Sequence, residues 1–248
     1  MDILGIDVGG SGIKGAIVNT DTGTLTTDRF RVKTPDPSTP KAMAKAVTRV
    51  VEHFHWEGPI GCGMPGPMKN GRLMTANNID KSWLDEDPAA IFTNACGRKV
   101  TVINDADAAG LAEIRFGAGK GVRGVVLLLT LGTGIGSALF VNGTLVPNTE
   151  FGQIEVRGKK GERRAAAQVR TKKDLGWKQY AEVLTEYLEA VEQLVWPDLI
   201  ILGGGVSKTA DKFMPRLKNL STVVPAEMRN EAGIVGSALG YVQSPPEN

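Results

Sequence analysis

A short segment near the start of the chain combines a carboxylate, several glycines, a hydroxyl and a lysine. It reads Asp7-Val8-Gly9-Gly10-Ser11-Gly12-Ile13-Lys14 and lies between apolar runs, residues 3–8 and 13–18, that predict strands. Backbone N–H groups in a glycine-rich turn can form an anion-binding nest, and a nearby carboxylate can hold Mg²⁺ through water. The segment is therefore either a phosphate site or a tight hairpin without a ligand.

Two further glycine-rich segments follow strand patterns. Residues 131–136, Leu-Gly-Thr-Gly-Ile-Gly, fail as a dinucleotide-binding fingerprint because a strand, not a helix, is predicted after them. A second phosphate-contacting hairpin fits better. Gly203-Gly204-Gly205 follows a predicted buried strand at a helix start, where a phosphate or nucleotide could dock. A simple strand-to-helix turn fits that third segment equally well.

A carboxylate, Asp105, directly follows Asn104 at the end of the strand predicted over residues 100–103. The carboxyl ends of buried strands are where α/β proteins place ligand chemistry. Asp105 could accept the proton of a substrate hydroxyl that attacks a phosphoryl group. It could instead only cap the helix predicted over residues 106–116.

Other polar residues lie in loops or in one basic run. Glu150, Gln153 and Asn78 have side chains suited to sugar hydroxyls, although such loop residues are commonly just solvated. Residues 157–173 hold eight Lys or Arg and one acid, Glu162. This run is either a track for a polyanion or a solvated helix face. It lacks the interleaved aromatic residues expected of a nucleic-acid binder.

The elements that must position these residues alternate between strands and helices, which indicates the α/β class. GIKGAI, beginning at Gly12, is repeated as GIGSAL, beginning at Gly134, an offset of 122 residues that points to two related lobes. We expect an N-terminal lobe over residues 1–103, completed by a helix within 231–248, and a larger lobe over 104–230, with a cleft between them.

Composition excludes several classes of protein. The 248 residues are 42% apolar and 23% charged, with a net charge of +2, so there is no global polyanion or polycation signature. No apolar run is long enough to span a bilayer, and the opening residues do not resemble a secretory signal, so a cytoplasmic protein is expected. Two cysteines cannot build a disulfide framework or a cysteine-rich zinc site.

Five segments in this order resemble the ROK family of sugar kinases: DVGGSGIKGAIV, MPGP, NDADAAGLAE, LTLGTGIGSALFVNGTLVPNTEFG and LIILGGGVS. The resemblance runs from Asp7 to the segment that begins at Gly233. PNTEFG together with NIDKSW, residues 78–83, is similar to the branch of the family that phosphorylates glucose from polyphosphate. Each glycine motif is weak alone, and their order and spacing carry the resemblance.

The resemblance implies an actin-like ATPase (ribonuclease H-like) fold, with Asp105 as the catalytic base. Glucose is the implied acceptor and polyphosphate or ATP the donor, in a homodimer without nucleic-acid or membrane partners. The implied substrate-binding residues are Asn104, Asp105, Glu150, Gln153, Gly66, Asn78 and Glu162. The implied donor-phosphate residues are Asp7, Gly9, Gly10, Ser11, Lys14, Thr133, Gly134, Gly204 and Gly205. Asp7 would also contact Mg²⁺, and the basic run becomes a polyphosphate track through Arg163, Arg164 and Arg170.

The chain departs from the family pattern in two ways. Many members carry a cysteine-rich zinc motif after the sugar-binding glutamate; this chain has none, as expected of the polyphosphate branch, so no structural zinc is expected. Gln153 stands where the family has histidine, and a glutamine can donate to a sugar hydroxyl but cannot titrate. Catalysis should survive this change, while the choice of sugar could differ.

Three alternatives stay open from the sequence. The first is an ATP-only hexokinase of the same family acting on glucose, mannose or an amino sugar. The second is a sugar-sensing transcriptional regulator, although those carry an N-terminal DNA-binding domain and here the first strand begins at residue 3. The third is a sugar-binding module without catalysis, which the glutamine at position 153 would suit.

Overall fold

The computed structural model describes residues 1–243, which form fifteen strands and seven α-helices. The strands are β1 (Asp2–Val8), β2 (Ile13–Asn19), β3 (Thr24–Leu25), β4 (Phe30–Val32), β5 (Ile60–Met64), β6 (Met68–Lys69), β7 (Arg72–Leu73), β8 (Val100–Asn104), β9 (Val125–Leu131), β10 (Ile135–Val141), β11 (Thr144–Val146), β12 (Glu155–Val156), β13 (Lys159–Lys160), β14 (Leu199–Gly203) and β15 (Thr222–Pro225). The helices are α1 (Pro40–His53), α2 (Pro88–Cys96), α3 (Asp105–Phe116), α4 (Glu162–Ala165), α5 (Ala167–Lys172), α6 (Trp177–Val195) and α7 (Ala232–Gln243).

The chain divides into two compact units. Among the described residues, the first contains 1–112 together with 230–243, and the second contains 113–229. The boundary predicted from the sequence lies at residues 103/104, whereas the first unit includes α3 as far as Ala112. Ala108 explains this, because it contacts Gly63 of β5 and Gly236 of α7. The part of the predicted 231–248 helix beyond residue 243 lies outside the described residues.

The first unit is built on a six-stranded sheet in the order β3-β2-β1-β5-β8, with β4 also paired to β2. β1 and β2 are antiparallel, while β5 runs parallel to both β1 and β8. Helix α1 begins cleanly because Thr39 caps it and Pro40 takes its first turn, where no backbone N–H is needed. Its apolar stripe, which includes Met43, Val47 and Val50, is buried against the sheet.

Helix α7 covers the other face of this sheet at very short range. Glycines replace side chains where its backbone passes: a methyl group on Gly5 would overlap the carbonyl of Ile234, and one on Gly61 would overlap that of Ser237. Because neither carbonyl can move without breaking the helix, these positions admit only glycine. The glycines of β1 and β5 therefore set how closely α7 approaches the ends of those strands.

The second unit repeats the strand order of the first. Its sheet runs β11-β10-β9-β14-β15, with β9 and β10 antiparallel and β14 parallel to both β9 and β15. Helix α6 buries one apolar stripe in this unit's core, comprising Tyr180, Leu184, Tyr187, Leu188 and Val191. Each unit thus opens with an antiparallel hairpin, as the short internal repeat predicts.

Several elements differ from the sequence-based expectation. The sequence pattern of residues 25–32 predicts one strand, but two short strands, β3 and β4, pair with β2 in its place. Between them the hydroxyl of Thr27 accepts the backbone N–H of Ile17 at 3.0 Å and so takes over from a strand partner. The segment after Gly204 forms a 3-10 helix, Gly205–Lys212, with a kink at Thr209, in place of a regular α-helix. The sequence analysis also missed α2, β15 and the short helices α4 and α5.

Candidate active site

The turn between β1 and β2 is closed internally and held from the side by β4. Gly9 donates its N–H to the carbonyl of Gly12 at 3.1 Å. Arg31 Nη2 donates to the carbonyl of Ser11 at 2.8 Å, and Thr34 Oγ1 donates to the carbonyl of Gly9 at 2.6 Å. These bonds occupy carbonyls of the turn, whose tip, Gly10 and Ser11, is exposed. Arg31 and Thr34 were not among the predicted site residues, although basic and apolar residues visibly alternate around β4.

A row of paired residues crosses the first sheet beside this turn. Asp7 lies opposite Lys14 on one side and Gly63 on the other, and Lys14 lies opposite Arg31. Lys14 Nζ is 3.2 Å from Asp7 Oδ2, and the two side chains are 36% and 20% exposed. Both ends of this ion pair therefore reach solvent, where a charged ligand can meet them.

The carboxylate of Asp7 rests on the first turn of α7. A methyl group on Gly233 would lie 2.8 Å from Asp7 Cγ, well inside contact distance. The close approach of α7 described above therefore fixes where the Asp7 carboxylate points. The sequence placed Gly233 in the family pattern but gave no sign of this contact.

Asn104 and Asp105 lie where β8 ends and α3 begins. Asn104 Oδ1 accepts the N–H groups of Ala106 and Asp107 at 2.9 and 3.0 Å, which is the bonding pattern of a helix cap. Asp105 Oδ1 accepts the N–H of the adjacent Ala106 at 2.8 Å. The capping role weighed for Asp105 is thus filled mainly by Asn104, and Asp105 itself is partly exposed.

Asp7 is near the end of β1 and Asp105 directly follows β8, and both strands run parallel to β5, which lies between them. Gly63, which pairs with Asp7, would place a methyl group 3.7 Å from Asp105 Cα. The carboxyl ends of β1, β5 and β8 therefore gather two carboxylates and the first glycine turn within one unit, the position where α/β sheets bind ligands.

Gly66 and Asn78 lie in loops of the same unit. Gly66 has a φ of +110° and sits against the carbonyl of Thr75, so a side chain would be strained there. Asn78 is exposed and precedes a 3-10 turn that is anchored by Trp83, whose Nε1 donates to the carbonyl of Ser38 at 2.9 Å. Trp83 is fully buried, so this loop has a rigid base.

In the second unit, three segments meet at the turn between β9 and β10. Gly132 donates its N–H to the carbonyl of Gly134 at 3.0 Å and accepts the N–H of Gln168, from α5, at 3.0 Å. Gly204, with a φ of +80°, lies against the backbone of Leu131 so closely that a methyl group would overlap its carbonyl. The two residues that precede Thr133 and Gly134 thus contact Gly204 and the start of the basic helix α5.

The loop that carries Glu150 is pinned to β10 by one buried hydroxyl. Ser137 Oγ donates to the carbonyl of Thr149 at 2.6 Å and accepts the N–H of Phe151 at 2.9 Å. It therefore holds the residues on both sides of Glu150. Gly152 adds a close contact, because any side chain there would overlap the carbonyl of Ile135. The sequence analysis did not single out Ser137.

Glu150 and Glu162 influence each other electrostatically. Burial, with a further contribution from the negative charge of Glu162, raises the pKa of Glu150 above its usual range. Glu162 Oε2 would lie 2.7 Å from a methyl group on Gly134, which places this carboxylate at the second glycine turn. Gln153 is engaged differently: its Oε1 accepts Lys160 Nζ at 2.7 Å.

The three arginines predicted to bind polyphosphate have different surroundings. Arg164 forms an ion pair with Glu186 of α6 and is only 21% exposed. Arg170 stacks on Trp177, with its guanidinium carbon 3.7 Å from the ring centroid. Arg163 is exposed and takes part in no ion pair within residues 1–243. Arg163 is therefore the member of this set most available to a ligand.

The donor set for a metal ion is sparse. No group of three or more His, Cys, Asp or Glu side chains that could hold a metal occurs among residues 1–243. Mg²⁺ commonly binds through one or two carboxylates while phosphates and water complete its shell. The partly exposed carboxylate of Asp7 beside the first turn fits that mode. Within the same residues, no helix has the length and apolar character needed to cross a membrane.

Several known proteins resemble this chain in sequence and in fold. The model of the ROK family matches residues 3–160. The chain is 54% identical to the polyphosphate glucokinase of Mycobacterium tuberculosis (strain CDC 1551 / Oshkosh), over 96% of this chain and 91% of that protein.

Two solved structures are also similar. The inorganic polyphosphate/ATP-glucomannokinase of Arthrobacter sp. strain KM has a TM-score of 0.93 and 48% identity, covering 98% of this chain and 99% of that one. The ROK family glucokinase of Streptomyces griseus, in complex with glucose and AMPPNP, has a TM-score of 0.82 and 25% identity, covering 96% and 98%. The predicted α/β class and actin-like ATPase fold are confirmed, and the chain belongs to the ROK family.

Proposed function

We propose that this protein transfers the terminal phosphoryl group of inorganic polyphosphate to the 6-hydroxyl of glucose, with ATP as a second donor. The observation that carries the proposal is the 54% identity to a polyphosphate glucokinase over nearly the full length of both chains. The similarity to a polyphosphate/ATP-glucomannokinase supports the use of both donors.

Asp105 is the proposed general base. It follows the carboxyl end of strand β8. The helix cap of α3 is formed mainly by Asn104, whose Oδ1 accepts two N–H groups of the first turn. A carboxylate in this position can accept the proton of the sugar hydroxyl as the oxygen attacks the phosphoryl group. Asn104 then acts as a positioning residue through its two bonds to the first turn of the helix, in addition to any contact with the sugar.

The donor phosphates are proposed to bind at the two glycine turns. In the first unit, Gly9, Gly10 and Ser11 offer backbone N–H groups beside Lys14. In the second, Thr133 and Gly134 follow Leu131, whose backbone lies against Gly204. Phosphoryl transfer depends mostly on positioning and charge stabilisation, which backbone donors and a lysine supply. Mg²⁺, held through Asp7, would neutralise part of the donor's negative charge when bound.

The sugar is proposed to contact Glu150, Glu162 and Gln153 from the second unit and Asn104, Gly66 and Asn78 from the first. Glu150 suits this role because Ser137 fixes the loop on both sides of it. Gln153 keeps its amide donor for a hydroxyl, since Lys160 bonds to its oxygen. The departure from the family histidine is therefore compatible with sugar binding.

The experiment is to follow glucose 6-phosphate formation by the purified protein with Mg²⁺, comparing long-chain polyphosphate with ATP. Turnover with polyphosphate is the expected result, and Asp105→Asn should abolish it with both donors while the melting temperature is retained. Turnover with ATP alone would favour the alternative, an ATP-only hexokinase, which the similarity to the Streptomyces griseus glucokinase supports. Substantial activity in Asp105→Asn would place the base elsewhere.

We also propose that the protein is a cytoplasmic homodimer without nucleic-acid or membrane partners and without structural zinc. Light scattering after size-exclusion chromatography measures the oligomeric state directly. A monomer mass across the working concentration range would contradict the dimer.

A further inference from the structure

Three basic residues alternate with apolar ones around the edge strand β4. Arg29, Arg31 and Lys33 are exposed, whereas Phe30 and Val32 are turned toward the core. Because side chains of a strand alternate between its two faces, the three basic residues share one face. We call Arg29, Arg31 and Lys33 the β4 basic stripe.

The stripe is continuous with the first glycine turn. Its central member, Arg31, pairs in register with Lys14 and donates to the carbonyl of Ser11 at 2.8 Å. Directly after the stripe, Thr34 holds the carbonyl of Gly9 at 2.6 Å. The same short segment that carries the positive charges thus also fixes the turn proposed to bind the donor phosphates.

The outer members of the stripe are available to a ligand. Within residues 1–243, neither Arg29 nor Lys33 takes part in a salt bridge. Asp28, the acid next to Arg29, is an odd number of positions from each of the three basic residues, so it belongs to the other face of the extended segment. Three like charges on one face repel each other, which a bound polyanion would relieve.

The length of the stripe selects the kind of anion. Arg29 and Lys33 are four positions apart along extended chain, which is about 13 Å at about 3.3 Å per residue. Arg31 contacts the first glycine turn, where the reacting phosphates are proposed to bind, and the stripe extends beyond that turn. It therefore suits a linear chain of phosphates better than a nucleotide, whose phosphates end in a sugar and a base.

We propose that the β4 basic stripe binds the non-reacting phosphates of polyphosphate and so determines preference for long chains over ATP. This rests on the proposed polyphosphate-dependent function and assigns to Arg29 and Lys33 a role separate from the basic run of residues 157–173. The binding is electrostatic, so it should weaken steeply as salt is added.

The test reverses the two outer charges in the variant Arg29→Glu/Lys33→Glu. The matched control is Lys45→Glu/Arg49→Glu, which changes the same residue types at exposed positions of α1. Helix α1 packs on the face of the sheet opposite to Lys14, because Val50 contacts the neighbouring Gly15. Each variant replaces one lysine and one arginine by glutamate, so the two have the same net charge. Only Arg29→Glu/Lys33→Glu alters the stripe.

Two quantities are measured over a range of salt concentration: kcat/KM with long-chain polyphosphate, tripolyphosphate and ATP, and direct binding of fluorescently labelled long-chain polyphosphate. We expect the stripe variant to lose at least fivefold in kcat/KM and in affinity for long chains, with a shallower salt dependence. Its kcat/KM for ATP and tripolyphosphate should stay within about twofold, which also shows that it is folded. The control should stay within about twofold throughout.

Equal losses in the two variants, or equal losses for ATP and long chains in the stripe variant, would overturn the proposal. If the wild-type protein binds long-chain polyphosphate but turns over only ATP, the proposed function fails, and the affinity difference between the two variants still decides the role of the stripe. If the wild-type protein does not bind long chains at all, the stripe proposal fails as well.

Discussion

Ser137 is a single buried hydroxyl that holds the loop of Glu150 from both sides, which makes Ser137→Ala a sharp test of the proposed sugar site. Ser137 is only 2% exposed, and its substitution removes a 2.6 Å bond to the Thr149 carbonyl and a 2.9 Å bond from the Phe151 N–H. Each such bond contributes about 1 kcal/mol net, and more when the remaining partner stays buried.

The expected loss of stability is therefore about 2–3 kcal/mol, or a fall in Tm of about 4–12 °C for a chain of this size. The released loop should also misplace Glu150. A hydrogen bond to a charged group is worth about 1.5–3 kcal/mol, so its partial loss should lower kcat/KM for glucose by about tenfold.

The assay compares the KM for glucose, kcat and Tm with those of Val191→Ala. Val191 is fully buried in the core of the same unit, and losing its two methyl groups should destabilise the protein by about 2 kcal/mol without breaking a bond in the loop. We expect KM for glucose to rise in Ser137→Ala alone, while both variants lose similar stability. If the two variants show the same KM, Ser137 does not position Glu150 and the reasoning is refuted.

Three further predictions concern other residues of the site. Because the charge of Glu162 helps to raise the pKa of Glu150, Glu162→Gln should lower that pKa and shift the acid limb of the pH profile of kcat/KM to lower pH. If the acid limb does not move, the charge of Glu162 does not influence the titration of Glu150. Gly233→Ala should displace the carboxylate of Asp7 and reduce kcat/KM at least tenfold for polyphosphate and ATP alike, and a loss confined to one donor would contradict this. Arg164→Ala should lower Tm through the loss of its ion pair, whereas Arg163→Ala should leave Tm unchanged, as thermal unfolding can show.

The raised pKa of Glu150 also determines the direction in which this residue makes the stability of the protein depend on pH. In the folded protein Glu150 binds its proton more tightly than in the unfolded chain, so this group's contribution is favourable at pH below the unfolded value and is lost as pH rises through the folded value. Glu150→Gln should accordingly reduce activity and make the protein slightly more stable at neutral pH. Unfolding in denaturant at two pH values measures this difference.

The sequence predicted the elements whose patterns are local. The apolar runs of residues 60–64 and 125–131 predict strands with these bounds, which the structure has as Ile60–Met64 and Val125–Leu131. Pro40 suits the first turn of a helix, and α1 begins there. The internal likeness of two glycine turns also corresponds to a shared strand order in the two sheets. Such features depend on residues close together in the chain, so one sequence suffices to indicate them.

The parts that the sequence did not reveal depend on residues distant in the chain. No pattern in the neighbouring sequence indicates that Ser137 holds the loop of Glu150, or that the Asp7 carboxylate packs against Gly233. The β4 segment was interpreted as part of a longer strand because its apolar positions continue the pattern, while the side chain that interrupts pairing, Thr27, is an ordinary strand former. Tertiary contacts decide such cases.

The glycine-lined face under α7 has a consequence for synthesis on the ribosome. The second unit, residues 113–229, is continuous in the chain, so it can fold as soon as it has been translated. The first unit must wait, because Gly5 and Gly61 are covered by Ile234, Ser237 and Ala238 of α7. The nascent N-terminal sheet therefore keeps one uncovered apolar face during almost all of translation. This reverses the usual order, in which N-terminal domains fold first. The interval before α7 is synthesised is then the stage at which the chain is most exposed to aggregation and to binding by chaperones.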